Sequence, residues 1–280
     1  MFELEIKPQG KFTLGLKELW HYRELFYFFT WRDIKVRYKQ AALGIVWAAI
    51  QPLSMMLLFT IIFNKGLKVD SDGLPYPIFA FSGLMIWNVF SNGLLNASSS
   101  MVANANIIKK IYFPRLIIPL SSILTALFDF LFAFVVFVVL LIYFQIPFLA
   151  LKLVVLLPLS ILLTVITTFG LGTLLASLNV KYRDFQYALP FMIQFLLFLN
   201  PVLYSTKAFD NVWAQWIMRL NPLAGAIDLV RSIFTVREDS FGEGVLRWEI
   251  ILGQFGIAIF ILLLGVYVFR KTEAYFADLA

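Results

Sequence analysis

Asp129 is the side chain in this sequence that most needs a chemical explanation, because it interrupts an otherwise charge-free apolar run from Leu116 to Phe144. A charged group at the centre of a bilayer costs ~2.5–3.5 kcal/mol on insertion scales, so such a residue must face something polar. Two chemistries fit it. It could be a hydrogen-bonded helix contact or a protonated acid, or it could serve a substrate path or a proton transfer. The neighbouring apolar run carries Ser82, Asn88, Ser91, Asn92, Asn96 and the Ser98–Ser100 run, interleaved with Trp87 and Phe90. That polar face should avoid acyl chains. It could line an aqueous path in which aromatic rings stack on the apolar faces of sugars, or it could make hydrogen bonds between helices.

Enzymatic constellations are missing. No G-x-x-x-x-G-K-[ST] occurs, so the chain has no phosphate-binding loop of its own for nucleotide. Neither H-E-x-x-H nor G-x-S-x-G is present. A membrane glycosyltransferase would use clustered carboxylates to hold a divalent metal and activate an acceptor, and the acids here are dispersed. The chain has no Cys, which excludes disulfides and thiolate metal sites, and its single His21 reads as a surface side chain. We therefore expect no catalytic residue, no metal site and no cofactor in this chain.

The elements that carry these residues belong in a membrane. Hydrophobic residues make up 61% of the chain and charged ones 14%, with mean hydropathy +0.84. Soluble domains are nearer ~45–50% apolar and ~25% charged. The net charge of +6 comes from basic residues scattered between apolar spans, which argues for topology and against nucleic acid. The first 40 residues are charged and interrupted, unlike a signal peptide. A spanning helix needs ~20 apolar residues. Six windows qualify, at about 44–63, 78–97, 116–144, 153–178, 187–203 and 250–269. With the N-terminus inside, the inner loops and tails hold fifteen Lys and Arg and the outer ones eight. Five of those eight (Lys207, Arg219, Arg231, Arg237, Arg247) fall in the single segment 205–247. Retention of positive charge on the cytoplasmic side then places both termini in the cytoplasm.

The expected fold is an all-α membrane protein. Residues 1–43 form a cytoplasmic N-terminus with an interfacial amphipathic helix, 44–270 one transmembrane domain, and 271–280 a cytoplasmic tail. Over residues 25–41, Tyr27, Trp31, Ile34 and Tyr38 recur at helical spacing beside a basic stripe of Arg32, Lys35 and Lys39, an interfacial pattern. It suits either a plain membrane anchor or a docking surface. Asn104–Arg115 brings Lys109, Lys110 and Arg115 beside isoleucines and predicts a short helix ending at Phe113, since a residue before Pro disfavours helix. From the residues alone a solvated loop is the better reading of that stretch. In 205–247 two half-length amphipathic helices separated by Pro222 are expected to dip into or lie on the outer leaflet. Thr168, Gly170, Gly172 and Ala176 form a small-residue face for close helix packing.

Five stretches in this order resemble one family: Asp33–Leu53 (DIKVRYKQAALGIVWAAIQPL), Lys109–Ser121 (KKIYFPRLIIPLS), Asn179–Phe185 (NVKYRDF), Asn200–Ser205 (NPVLYS) and Asn221–Arg231 (NPLAGAIDLVR). The chain resembles, over its full length, the permease subunit of ABC-2 type transporters that export lipid-linked polysaccharide such as O-antigen, capsule or teichoic acid. The resemblance implies a homodimer of six-span subunits in the inner membrane of a bacterium, each docked on a separate cytoplasmic ABC ATPase that binds ATP and Mg, with a polymer path along the dimer axis. It assigns ATPase coupling to Tyr27, Trp31, Arg32, Lys35, Lys39, Lys109, Lys110, Phe113 and Arg115. It makes Trp87, Phe90 and Tyr204, with Asn88 on the polar face, candidates for the substrate path, and the outer half-helices a re-entrant cap at its exit. A permease for a small lipid or drug, or a membrane enzyme of glycan assembly, is the alternative.

Overall fold

The computed structural model describes residues 16–39, 44–148, 150–182, 184–205, 212–234 and 248–273. Every regular element among them is helical. In chain order these are α1 (Leu16–His21), α2 (Arg23–Tyr38), α3 (Trp47–Phe59), α4 (Tyr76–Ala103), α5 (Ala105–Ile108), α6 (Ile117–Tyr143), α7 (Ala150–Lys181), α8 (Phe185–Leu199), α9 (Val212–Leu220), α10 (Pro222–Ser232) and α11 (Trp248–Thr272). A 3₁₀ turn, Gly44–Val46, leads into α3, and a π-helical stretch, Thr60–Gly66, prolongs it.

Five of these segments are long and apolar enough to cross a membrane: Gly44–Asn64, Tyr76–Ala103, Ile117–Tyr143, Ala150–Lys181 and Trp248–Thr272. They coincide with five of the six expected windows, and most run further. At 1.5 Å per residue α4 is about 42 Å long and α7 about 48 Å, against a hydrocarbon core of ~30 Å. Both are longer than that core is thick. The expected fifth span, 187–203, is instead the 15-residue helix α8, about 22 Å long. It stops at Leu199 because Asn200 precedes Pro201 and is extended (φ −100°, ψ 148°).

The most buried span is α4, which packs against α6 on one side and α7 on the other, with α11 on the far face of α7. Small residues set the spacing between these helices. Gly172 faces Ala97 of α4, and Thr168 faces Gly93, where an added Cβ would come within 2.9 Å in each case. Gly170 turns toward α11, and a Cβ on Gly265 would lie 2.0 Å from the Gly170 carbonyl oxygen. The small-residue pattern of α7 thus serves two different partners, α4 and α11, on opposite faces.

The segment expected to lie on the outer leaflet differs in a second way. Its described residues form α9 and α10, broken at Asn221-Pro222 as expected, but α10 is buried along almost its whole length among α4, α7 and α11. Gly225 packs directly on Gln254 of α11, and Ser160 of α7 donates to the Ala226 carbonyl (2.7 Å). Its Arg231, which in sequence reads as an outer-loop charge, is fully enclosed. Nη1 donates to the Pro201 carbonyl (2.6 Å), and Nη2 to those of Val202 (2.8 Å) and Phe79 (3.2 Å). The guanidinium carbon stands 3.4 Å from the centroid of the Phe79 ring. Asn221 caps α10 through Leu223 N–H, and its Nδ2 donates to Asn200 Oδ1 (2.7 Å). The two Asn-Pro motifs are therefore halves of one joint, in which carbonyls freed by the break after α8 are satisfied from α10. Residues 206–211 and 235–247, with Lys207, Arg237 and Arg247, lie outside the described residues.

Two substitutions test this packing. Gly265→Ala should destabilise the protein by about 2 kcal/mol or more through overpacking, whereas Gly253→Ala, whose Cβ would meet open space, should be neutral, as read by thermal unfolding in detergent. Arg231→Lys should lose roughly 3 kcal/mol in the same assay, because one ammonium cannot serve carbonyls on two sides as a planar guanidinium does.

Candidate coupling surface and polar cavity

The helix α2 carries aromatic residues on every side, so hydropathy alone does not say which face it buries. The structure selects Phe29 and Ile34. Phe29 packs on Phe113 (ring centroids 5.5 Å), and the pair joins a cluster with Met101, Ile108, Leu116 and Phe269. Phe113, expected on a docking surface, is instead 3% exposed and anchors the 109–115 stretch beneath α2. Tyr27 and Trp31 face outward and stack on each other (6.4 Å, 8°), with Lys35 over the Trp31 ring at 5.4 Å. The expected apolar face is therefore split. Ile34 and Tyr38 turn toward the protein, while Tyr27 and Trp31 join the exposed basic stripe. Arg32 is held by Asp33 (2.7 Å) and lies over Phe29 (4.8 Å), and Lys39 is exposed.

The expected helix over Asn104–Phe113 shortens to α5, Ala105–Ile108, followed by turns and extended chain to Pro114. Four residues cannot sustain a helix by themselves, and the burial of Phe113 holds the rest in place. Lys109, Lys110, Ile111 and Tyr112 are left exposed. Arg115 turns inward and donates to the Glu273 backbone carbonyl beyond α11, while Arg270 pairs with the Glu273 carboxylate (2.8 Å). Burial raises the Tyr112 phenol, and the charges of Glu18 and Glu273 raise it further. The end of α11, the start of the described chain and the 109–115 stretch thus converge at one basic end of the bundle.

Asp129 is paired. One carboxylate oxygen accepts from Arg37 Nη1 and the other from the Tyr38 hydroxyl, both on the last turn of α2. Burial, then the bond to Asp129, raises the Tyr38 phenol, so it stays a neutral donor. About 21 Å of helix axis separates Asp129 from Tyr143. Asp129 thus lies near the middle of α6 (Ile117–Tyr143). Of the two readings open in the sequence, the helix contact is realised, and the contact is an ion pair between α2 and α6.

The pair also forms part of the wall of a cavity of about 230 Å³, with Trp47 and Gln51 of α3 and Asn88 and Asn92 of α4. Gly44, at φ +52°, turns the chain into α3 at its rim, a conformation that side-chain-bearing residues rarely adopt. Arg37 lines a second, open groove of about 660 Å³ with Asn96, Ser99, Asn104, Ser122 and Thr125. Of the residues expected on a substrate path, Asn88 faces the cavity, whereas Trp87 and Phe90 are 6% and 1% exposed and pack on each other within the core of the chain. Tyr204 is half-buried after α8, its hydroxyl donating to the Phe198 carbonyl (2.6 Å). Arg37, Trp47 and Gln51 went unnoticed in sequence. The signal for Arg37 was Asp129 itself, since a buried acid needs a cation and α2 supplies the nearest basic stripe.

The ion pair is tested by a double-mutant cycle. Arg37→Leu should lower stability by about 2 kcal/mol, the value of a charge-assisted hydrogen bond. Asp129→Leu added to it should restore most of that loss, because no carboxylate is then left unpaired. Additive losses in thermal unfolding would mean that the two residues do not interact.

Residues 24–235 match the family described as ABC-2 type transporter. An O-antigen export system permease protein RfbA from Klebsiella pneumoniae is 32% identical over 249 residues, 89% of this chain and 92% of the relative. An RfbA of Myxococcus xanthus is 29% identical over 78% of this chain and 83% of its own length. The polysialic acid transport protein KpsM of Escherichia coli is 23% identical over 76% and 81%. The match runs from the start of α2 through α10 and contains the Arg37–Asp129 pair, the cavity and the Arg231 joint: this multi-pass membrane chain belongs to the ABC-2 type transporter family.

Proposed function

We propose that this chain is the membrane-spanning permease of an ATP-driven exporter of lipid-linked polysaccharide, most specifically of the O-antigen type, with hydrolysis supplied by a separate ABC ATPase that holds ATP and Mg. Similarity to O-antigen export permeases across about nine-tenths of both chains carries the reading. The sequence, which has no phosphate-binding loop, supports a division of labour in which this chain provides the path and a partner the motor.

On this reading α8 completes a set of six spans, its short apolar helix extended by Asn200–Tyr204, and α9 and α10 form a re-entrant cap at the exit. The basic end faces the cytoplasm of a bacterial inner membrane together with both termini. The exposed Tyr27–Trp31–Lys35 ladder and the Lys109–Tyr112 stretch form the surface that receives the ATPase. Their juxtaposition through Phe29 and Phe113 supports that role. A solvated basic surface flanked by aromatic side chains favours an acidic, partly apolar partner. The chain acts as a homodimer, and α3 with its π-helical extension and α8, whose outer faces carry Leu57, Leu58, Ile61, Phe191, Phe195 and Phe198 exposed, supply the apolar area for a second copy or lipid.

Deleting the gene should abolish surface glycan and leave lipid-linked glycan inside the cell, and the purified chain alone should show no ATP hydrolysis. Unchanged surface glycan would refute the export role. Lys109→Glu combined with Lys110→Glu should abolish co-purification of the ATPase while leaving the chain in the membrane. Arg115 is spared because its contact with the Glu273 carbonyl is internal. An ATPase that still co-purifies with the double variant would remove this stretch from the docking surface.

A further inference from the structure

Packing does not account for the cavity beside Asp129. Asn88 and Asn92 stand one turn apart on α4, and Trp47 and Gln51 one turn apart on α3, so each helix turns one stripe into the same space. Among the described residues the three amides make no side-chain hydrogen bond. Four of the five serines of the same helix behave differently: Ser82, Ser98, Ser99 and Ser100 each donate to a carbonyl of their own helix. A transmembrane helix with open amides is stable only where those amides meet water, protein or a polar ligand. The stripe also continues. Asn96 and Ser99 follow Asn92 at helical spacing and line the groove that begins on the other side of Arg37, so a polar strip of α4 runs from the basic end to the cavity.

The donor set narrows the ligand. An anion would meet the Asp129 carboxylate, a metal ion would meet the Arg37 guanidinium, and an acyl chain would leave the amides unpaired. A neutral polyhydroxylated ring suits all of them. Its hydroxyls can donate to the amide oxygens and to the lone pairs Asp129 retains beyond its two bonds, and can accept from the amide N–H groups. The exposed indole of Trp47 offers a flat apolar surface to the C–H face of such a ring. The space of about 230 Å³ falls below the ~300–1,000 Å³ of drug-sized sites and suits one ring at a time.

We propose that this cavity binds one neutral sugar unit of the exported glycan, held by Gln51, Asn88, Asn92 and Asp129 with Trp47 against its apolar face. The assignment rests on the export function proposed above. Because Arg37 and Tyr38 form part of the wall, a sugar seated there touches the end of α2, the helix that carries the exposed Tyr27–Trp31–Lys35 ladder.

The test uses the full chain with its ATPase in cells that make the glycan. Asn92 is replaced by the photoreactive benzoylphenylalanine, with Val135 and Val139, exposed on the outer face of α6, as controls. Irradiation during export should give an adduct that reacts with antibody to the glycan at position 92, at least about ten-fold above positions 135 and 139. Phospholipid adducts alone at position 92, or equal glycan labelling at all three positions, would overturn the site. In parallel, Asn88→Leu with Asn92→Leu should slow export about ten-fold, the effect of losing one or two hydrogen bonds to the ligand, with the chain still present in the membrane and bound to its ATPase. Export at the normal rate would overturn the proposal while leaving the export reading intact. Glycan export that persists after deletion of the gene would refute that reading itself. Should the double variant fail to accumulate, the crosslinking result decides.

Discussion

Hydrocarbon offers a buried carbonyl or charge nothing to bond with, and the rest of this structure is arranged around that constraint. At two breaks in the helical ladder and at one buried acid, a side chain from a neighbouring helix meets the exposed groups. The break after α8 frees carbonyls at Pro201 and Val202, and Arg231 of α10 donates to both. Asn221, at the next break, both caps its own helix and donates to Asn200. The acid at Asp129 is met by a guanidinium and a phenol from α2. Each of these contacts joins elements far apart in sequence, so satisfying the polar groups also fixes the tertiary arrangement.

Packing divides the bundle into a tight part and a loose one. At the Gly170–Gly265 crossing α7 and α11 touch backbone to backbone, and α10 is locked between them and α4 through Gly225 and Ser160. Such contacts cannot slide without overlap of main-chain atoms. The helices α3 and α8 leave most of their large apolar side chains uncovered, and α3 contains Pro52 and ends in a π-helical stretch that weakens its hydrogen-bond ladder. An element with few buried contacts can reorient at low cost. Within one chain, then, α4, α7, α10 and α11 form the tightly packed unit, α3 and α8 are its less covered elements, and α2 is bonded to α6 at Asp129.

Five of the spans were legible because hydrophobic length is a property of the chain alone. Features that depend on a partner helix were not. Amphipathic patterning around Asp228 and Arg231 reads as a surface helix, and only the carbonyls waiting at Pro201 and Val202 make burial favourable for α10. Trp87 and Phe90 read as path residues because aromatic rings suit sugars, yet equally large rings fill a core, and sequence does not separate the two uses. On α2 the spacing of Tyr27, Trp31, Ile34 and Tyr38 was real, but a helix with Phe26, Phe28 and Phe29 as well has more than one apolar face. The choice was made by Phe113, far along the chain. Asp129 was the opposite case, since its cost in hydrocarbon announced a partner without naming it.

The most buried span, α4, is also among the richest in polar side chains, and the two facts are compatible because those side chains are of two kinds. A serine in a helix can return its hydrogen to a carbonyl of the preceding turn, as Ser82, Ser98, Ser99 and Ser100 do, and so satisfies itself without a partner. An asparagine carries two donors and an acceptor, and one backbone carbonyl cannot meet all of them. Asn179 of α7 donates to the Ser98 carbonyl of α4 (3.1 Å), whereas Asn104, where α4 ends, donates back to the Ser100 carbonyl of its own helix. In the cavity Asn88 and Asn92 face space in place of a neighbouring helix. Within α4, then, Ser82, Ser98, Ser99 and Ser100 are met by their own helix, while Asn88 and Asn92 turn toward open space.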